Sequence, residues 1–143
     1  ESKSIGEPLV SELVGALKQE NVFELTDALK TKNASAAIQI LRNQLRHGEE
    51  PLKILGTISW QYRLIWEVKH YRDNKTPIQT AARLMEAKPF MIEKAASYCG
   101  KFSLGDLRKA FKSLFRADRD LKTSGGSPEL IMETLILRLC SAS

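Results

Sequence analysis

Apolar residues recur at helical spacing from one end of this chain to the other, and no stretch alternates apolar and polar residues long enough to make a strand. That single period leaves an all-α fold as the expectation. Glycines and prolines fall between the periodic segments, where they act as breaks. The spacing predicts about eight helices, over 8–18, 23–31, 34–47, 50–72, 77–86, 90–100, 104–122 and 128–141. A chain of 143 residues removes roughly 68–70% of its unfolded surface from water on folding, so a compact helical bundle forms without a disulfide or metal staple. With 43% hydrophobic and 27% charged residues the composition is that of a globular chain rather than a disordered one. Apolar runs such as Leu135 to Leu137 fall far short of the ~20 residues of a membrane span. Beginning at Glu1 rather than Met, the chain reads as a piece of a longer protein.

Start and stop signals carry the same message. Thr76-Pro77 and Ser127-Pro128-Glu129 each place a capping hydroxyl before a proline at the first helical position, where the missing N–H is harmless. Ser103-Leu104-Gly105-Asp106 is a capping-box-like start with Asp in place of Glu or Gln. Gly48 suits a left-handed C-terminal cap.

Core stripes follow from the spacing. They comprise Ile131, Met132, Leu135, Ile136 and Leu139 in the last helix, and Leu107, Phe111, Leu114 and Leu121 in 104–122. A third contains Ile54, Leu55, Ile58, Tyr62, Ile65 and Trp66 in 50–72. This last helix segment carries a second stripe, Trp60, Leu64, Val68 and Tyr71, read as lying on the opposite side. A helix apolar on two sides is either central in its own domain or docked on another chain. Cys99 and Cys140 sit among apolar neighbours and read as buried free thiols.

No constellation for chemistry is visible. There is no GxxxxGK[ST] loop and no GxGxxG after a strand. His47 and His70 lie far apart and share no ligand spacing with the cysteines, so no metal or cofactor site and no catalytic residue is expected. Asp118 falls by helical spacing in the middle of an apolar stripe, which calls for a polar tie to Lys122, four residues on, or to Arg63. Its replacement by alanine is then expected to destabilise the fold. Between Lys101 and Lys122 seven basic residues face three aspartates, leaving +4 of the chain's +5. Arg108, Lys112, Arg116 and Arg119 share one helical face. This ridge either tracks a phosphate backbone, meets an acidic partner or is merely solvated; no stacking aromatic interleaves with it in this reading. Segments 77–86 and 90–100, joined by Ala87-Lys88-Pro89, resemble a helix-turn-helix in outline. The second offers only Glu93, Lys94 and Ser97 as polar contacts, too few for base reading.

The order of several short segments resembles a known family. Asn21-Val22-Phe23-Glu24-Leu25-Thr26-Asp27-Ala28-Leu29 is followed by Gly48-Glu49-Glu50-Pro51-Leu52, Gln61-Tyr62-Arg63-Leu64 and Lys88-Pro89-Phe90. Asp118, Leu121-Lys122-Thr123 and Ser127-Pro128 then precede an apolar last helix. In this order and spacing they are similar to the C-terminal collar domain of the delta subunit of bacterial DNA polymerase III clamp loaders. The resemblance spans residues 21–140, and residues 1–20, with Leu13-Val14-Gly15, are similar to the end of the lid domain that precedes the collar.

The resemblance implies a division into a lid remnant or linker over 1–20 and a helical collar over 21–143. It implies a non-catalytic oligomerisation role in a cytoplasmic replisome, within the DNA polymerase III holoenzyme. Partners would be the motor subunits and delta-prime, met through their own collar domains, with no membrane; any contact with DNA would be indirect. The sliding clamp would be met by the missing N-terminal domain. Helical geometry then nominates Trp60, Leu64, Val68 and Tyr71, with Leu130 and Leu137 of the last helix, as interface candidates. The alternative is a stand-alone nucleic-acid-binding module that uses the basic ridge.

Overall fold

A computed structural model describes residues 24–123 and 125–141. Among them there are seven helices and no strand: α1 (24–30), α2 (Ala34–Arg46), α3 (Pro51–Asp73), α4 (Ile78–Met85), α5 (Pro89–Cys99), α6 (Leu104–Thr123) and α7 (Pro128–Ser141). Every expected helix in this range is present, with ends within a residue or so of the expected ones. The helix expected over 8–18, like the lid remnant over 1–20, lies outside the described residues.

The first four helices end the same way. A residue with positive φ (Lys32 at 59°, Gly48 at 89°, Lys75 at 59°, Glu86 at 54°) turns the chain out of each helix. The next N–H then reaches back five residues, from Asn33 to the Ala28 carbonyl, Glu49 to Gln44, Thr76 to Tyr71 and Ala87 to Ala82, at 2.8–3.1 Å. This is the Schellman closure, which satisfies carbonyls orphaned at a helix C-terminus. Only Gly48 advertised it, because Lys and Glu enter the left-handed region against the Cβ penalty that glycine escapes.

Helix starts follow their capping signals with one exception. Ser103 Oγ accepts from the Asp106 N–H and Asp106 Oδ2 accepts from the Ser103 N–H, both at 3.0 Å. The bond from the Ser103 N–H also holds the Asp106 carboxyl below its ordinary pKa. Ser127 Oγ likewise accepts from the Leu130 N–H at 3.2 Å. Thr76, expected to cap α4, does not do so. Pro77 is the N-cap, and having no side-chain donor or acceptor it makes no cap bond; Thr76 lies one residue before it, where its N–H closes α3.

Helix α3 runs through the centre, packed against α5, α6 and α7, while α2 lies on α7 and α4 on α5. Its buried residues are Ile54, Leu55, Ile58, Gln61, Tyr62, Leu64, Ile65 and Val68. At about 100° per residue they form one arc covering roughly half the helix. The two stripes read from the sequence are therefore the halves of a single buried surface. Trp60 and Trp66 stand at its shoulders, both partly exposed. Trp66, expected in the core, instead meets Phe111 in a T-shaped ring contact with centroids 5.6 Å apart. Gln61 falls inside the arc and is buried with it; neither its Oε1 nor its Nε2 has a hydrogen-bond partner among the described residues.

On α6 the buried residues are Leu107, Ala110, Leu114 and Ala117. The inward face is thus turned from the expected Leu107–Phe111–Leu114–Leu121 line, leaving Phe111 and Leu121 only half-buried. Two alanines on this face let the helix come close to its neighbours. Both cysteines are free and buried, and burial pushes their thiol pKa values up, which keeps them unreactive.

Candidate interaction surfaces

The residues nominated as an assembly face divide into two groups. Leu64 and Val68 are 3% and 4% exposed, so they belong to the chain's own core and cannot meet a neighbour in this fold. Trp60 remains partly exposed and Tyr71 half-buried, its ring lying 5.7 Å from that of His70. On α7, Met132, Leu135, Ile136, Leu139 and Cys140 point inward. Leu130 and Leu137, seven residues apart and therefore on one face, stay 63% and 51% exposed. They are the two nominated residues most available to a partner.

Helix α7 is held in place partly by a fork between helices. Arg42 Nε donates to Glu133 Oε2 at 2.8 Å and Arg42 Nη2 donates to Glu133 Oε1 at 3.3 Å, tying α2 to α7. The bidentate geometry is the favourable one for a guanidinium and a carboxylate. The Arg42 bonds hold the Glu133 carboxyl below its ordinary value of 4.5. A carboxyl depressed in the folded state adds stability that is fully present above its unfolded pKa and lost as pH falls through the folded one. Glu133→Gln is therefore expected to melt below the parent at neutral pH, and the gap should close between about pH 5 and pH 3. Thermal melts of both proteins across that range check the sign.

A second tie between helices was not legible in the sequence. Tyr98, buried on α5, donates its hydroxyl to Asp27 Oδ1 on α1 at 2.7 Å. Burial first, and this bond second, push the Tyr98 pKa upward. Lys30 lies 3.7 Å from the same carboxylate and 4.5 Å above the Tyr98 ring.

Asp118 is not in the middle of the apolar face, because that face is centred on Ala110, Leu114 and Ala117. It sits at the margin, its side chain 40% exposed, with Lys122 Nζ at 3.2 Å on the same helix. Arg63 is exposed on α3 and makes no ion pair with it among the described residues. An exposed pair four residues apart contributes about 0.3–0.5 kcal/mol. Asp118→Ala is accordingly expected to lower stability by no more than about 0.5 kcal/mol, read as a nearly unchanged denaturation midpoint.

The basic ridge stands on the outer face of α6, opposite its buried residues. Arg108, Lys112, Arg116 and Arg119 are all exposed. Arg119 Nε lies 3.7 Å from Asp120, and the other three make no ion pair among the described residues. Sequence reasoning passed over Phe115, which falls within the same face and is 70% exposed. Its spacing, three from Lys112 and four from Arg119, was the available signal. The helix-turn-helix outline corresponds to α4 and α5, and two of its three polar candidates are engaged within the chain. Ser97 Oγ donates to the Lys94 carbonyl, and Lys94 Nζ lies 5.7 Å from the Tyr98 ring. Among the described residues no cluster of His, Cys, Asp or Glu is arranged to hold a metal ion, and no helix is long and apolar enough to cross a membrane.

Residues 19–139 match the family model described as the DNA polymerase III delta subunit, C-terminal domain. The chain belongs to this family. Among curated relatives of this delta-subunit domain, the DNA polymerase III subunit delta of Bacillus subtilis is 29% identical over 130 residues, covering 91% of this chain and 38% of that protein. The solved structure of the Bacillus subtilis DNA clamp loader delta protein matches with a TM-score of 0.79 at 29% identity, covering 84% of this chain and 35% of that one. This delta domain thus spans less than two-fifths of the length of the relatives it matches.

Proposed function

We propose that this delta-subunit domain is an assembly element, which holds its subunit in a clamp loader by packing against the helical C-terminal domains of neighbouring subunits. Residues 21–143 would form that collar and residues 1–20 the end of a preceding lid domain. The domain itself does no chemistry. In this reading its neighbours are the motor subunits and delta-prime, in a cytoplasmic replisome. Contact with the sliding clamp belongs to another domain of the longer protein. The observation that carries the reading is the pair of leucines on α7: a helix already buried along one side leaves Leu130 and Leu137 largely exposed on another. Large apolar side chains aligned in this way suit a protein interface better than solvent.

The test is co-elution with light scattering, mixing this chain with the C-terminal domains of the motor and delta-prime subunits from the same organism. A stoichiometric complex that persists in moderate salt is expected, since apolar burial is insensitive to screening. Leu130→Asp with Leu137→Asp should weaken it at least roughly ten-fold while leaving the melting temperature of the isolated chain unchanged. Separate elution of the unaltered chain would overturn the assembly reading. A complex indifferent to the double substitution would move the interface away from α7.

A further inference from the structure

We infer that the crevice where the α1–α2 turn, the α5–α6 loop and helices α3, α6 and α7 meet is a binding site for one small monovalent anion of chloride size, held between Lys32, Lys101 and the Tyr62 hydroxyl. The site is separate from the α7 leucines, and the inference does not rest on the assembly reading.

An unpaired donor points to it first. Tyr62 is 1% exposed, and its hydroxyl makes no hydrogen bond among the described residues. The sealed side-chain atoms that lack a partner there are those of Gln61 alone, so the Tyr62 oxygen keeps a little access. The crevice that Tyr62 lines supplies that access. A buried hydroxyl without a protein partner calls for a water or an ion. Electrostatics draws the neighbouring groups to the same place. Burial raises the Cys140 thiol pKa and the Lys32 charge opposes the rise. Burial first and Cys140 second raise that of Tyr62. Lys32, Cys140 and Tyr62 therefore lie within electrostatic reach of one another.

Charge and size choose the ligand. Lys30, Lys32 and Lys101 border the crevice against one carboxylate, Asp106. Lys30 is engaged by Asp27 at 3.7 Å, whereas Lys32 and Lys101 are exposed and make no ion pair among the described residues. Asp106 is the opposing charge, but its Oδ2 already accepts from the Ser103 N–H at 3.0 Å. Two unpaired ammonium groups against one engaged carboxylate favour a negative guest. The cavity measures about 20 Å³, a little above the roughly 10–15 Å³ that one water needs. A single-atom ion fits whole, and a phosphate or carboxylate does not. Leu29, Phe102, Ala110 and Leu139 form apolar walls, which suit chloride better than fluoride because chloride gives up its hydration more readily. Bound there, the ion would join α1, α3 and the α5–α6 loop and cancel the repulsion between the lysines.

Thermal melts of this chain at a fixed ionic strength of about 0.15 M, with sodium chloride replacing sodium gluconate stepwise, provide the test. Gluconate is too large to enter, so the melting temperature should climb with chloride along a one-site binding curve. Crystals of the chain soaked in sodium bromide should show an anomalous-scattering peak between Lys32, Lys101 and Tyr62. Tyr62→Phe, or Lys32→Gln with Lys101→Gln, should weaken chloride binding roughly ten-fold or more. In gluconate alone Tyr62→Phe should melt with the parent, which separates a lost ligand from a weakened core. The inference is overturned if chloride and gluconate give the same melting temperature, or if both variants keep the chloride response of the parent. Water alone in the crevice of the bromide-soaked crystals would overturn it too. So would a bromide peak with no chloride effect on melting, which would mean binding at crystal concentration only.

Discussion

Replacing Tyr62 with alanine is expected to destabilise this chain by about 3–5 kcal/mol, the range for removing a buried aromatic ring. Tyr62 is among the largest fully buried side chains and lies on α3, the helix against which α5, α6 and α7 all pack. Its ring makes a T-shaped contact with Phe102 at 5.5 Å between centroids, so alanine would remove an aromatic contact as well as leave a cavity. Neighbouring helices are fixed to one another by their own contacts and can fill the void only partly. For a chain of this size the loss corresponds to a fall in melting temperature of roughly 10–15 °C. Tyr62→Phe keeps the ring and should retain nearly all of the stability. Burial raises the Tyr62 hydroxyl pKa, so the group stays neutral and its removal uncovers no charge. Urea denaturation of the three proteins checks both statements. A small effect of Tyr62→Ala would mean that α3 is not the helix on which the bundle depends.

The second large effect runs in the opposite direction. Gln61 is wholly buried on α3, and its amide oxygen and nitrogen have no hydrogen-bond partner among the described residues. A buried amide left unpaired costs about 1–3 kcal/mol. Methionine has nearly the same length and flexibility and can follow the same path through the core without the polar atoms. Gln61→Met is therefore expected to stabilise the chain by about 1–3 kcal/mol, with a corresponding rise in the denaturation midpoint. A loss of stability would reveal that the amide is bonded in solution, with an internal water as the natural partner.

Gln61 also illustrates where a reading of the sequence stops. Two apolar stripes on α3 were plain from their spacing, but Gln61 was passed over because a polar residue does not enter a hydrophobic pattern. It was buried because the stripes are adjacent on the helix and neighbouring helices cover both. The same geometry moved Leu64 and Val68 from a nominated interface into the core, and left Trp66 partly exposed where burial was expected. On α6, choosing leucine and phenylalanine over alanine set the inward face about 35° around the helix from its true centre. That error made Asp118 look buried and hid Phe115 from view.

The helices and most of their ends were determined by the sequence itself, because each depends on residues within about five positions: a 3.6-residue period, a serine three residues before an N–H, a glycine at a left-handed turn. The reciprocal Ser103–Asp106 cap and the Gly48 closure are of this kind, and so is the ordered series of segments that resembles the delta-subunit domain. Tertiary structure decided which apolar side chains stay uncovered, and it alone joined Asp27 to Tyr98 and Arg42 to Glu133 across 71 and 91 residues of chain. Such pairings are set by which helix lies over which, and that order follows from packing the whole core at once, which no local spacing encodes.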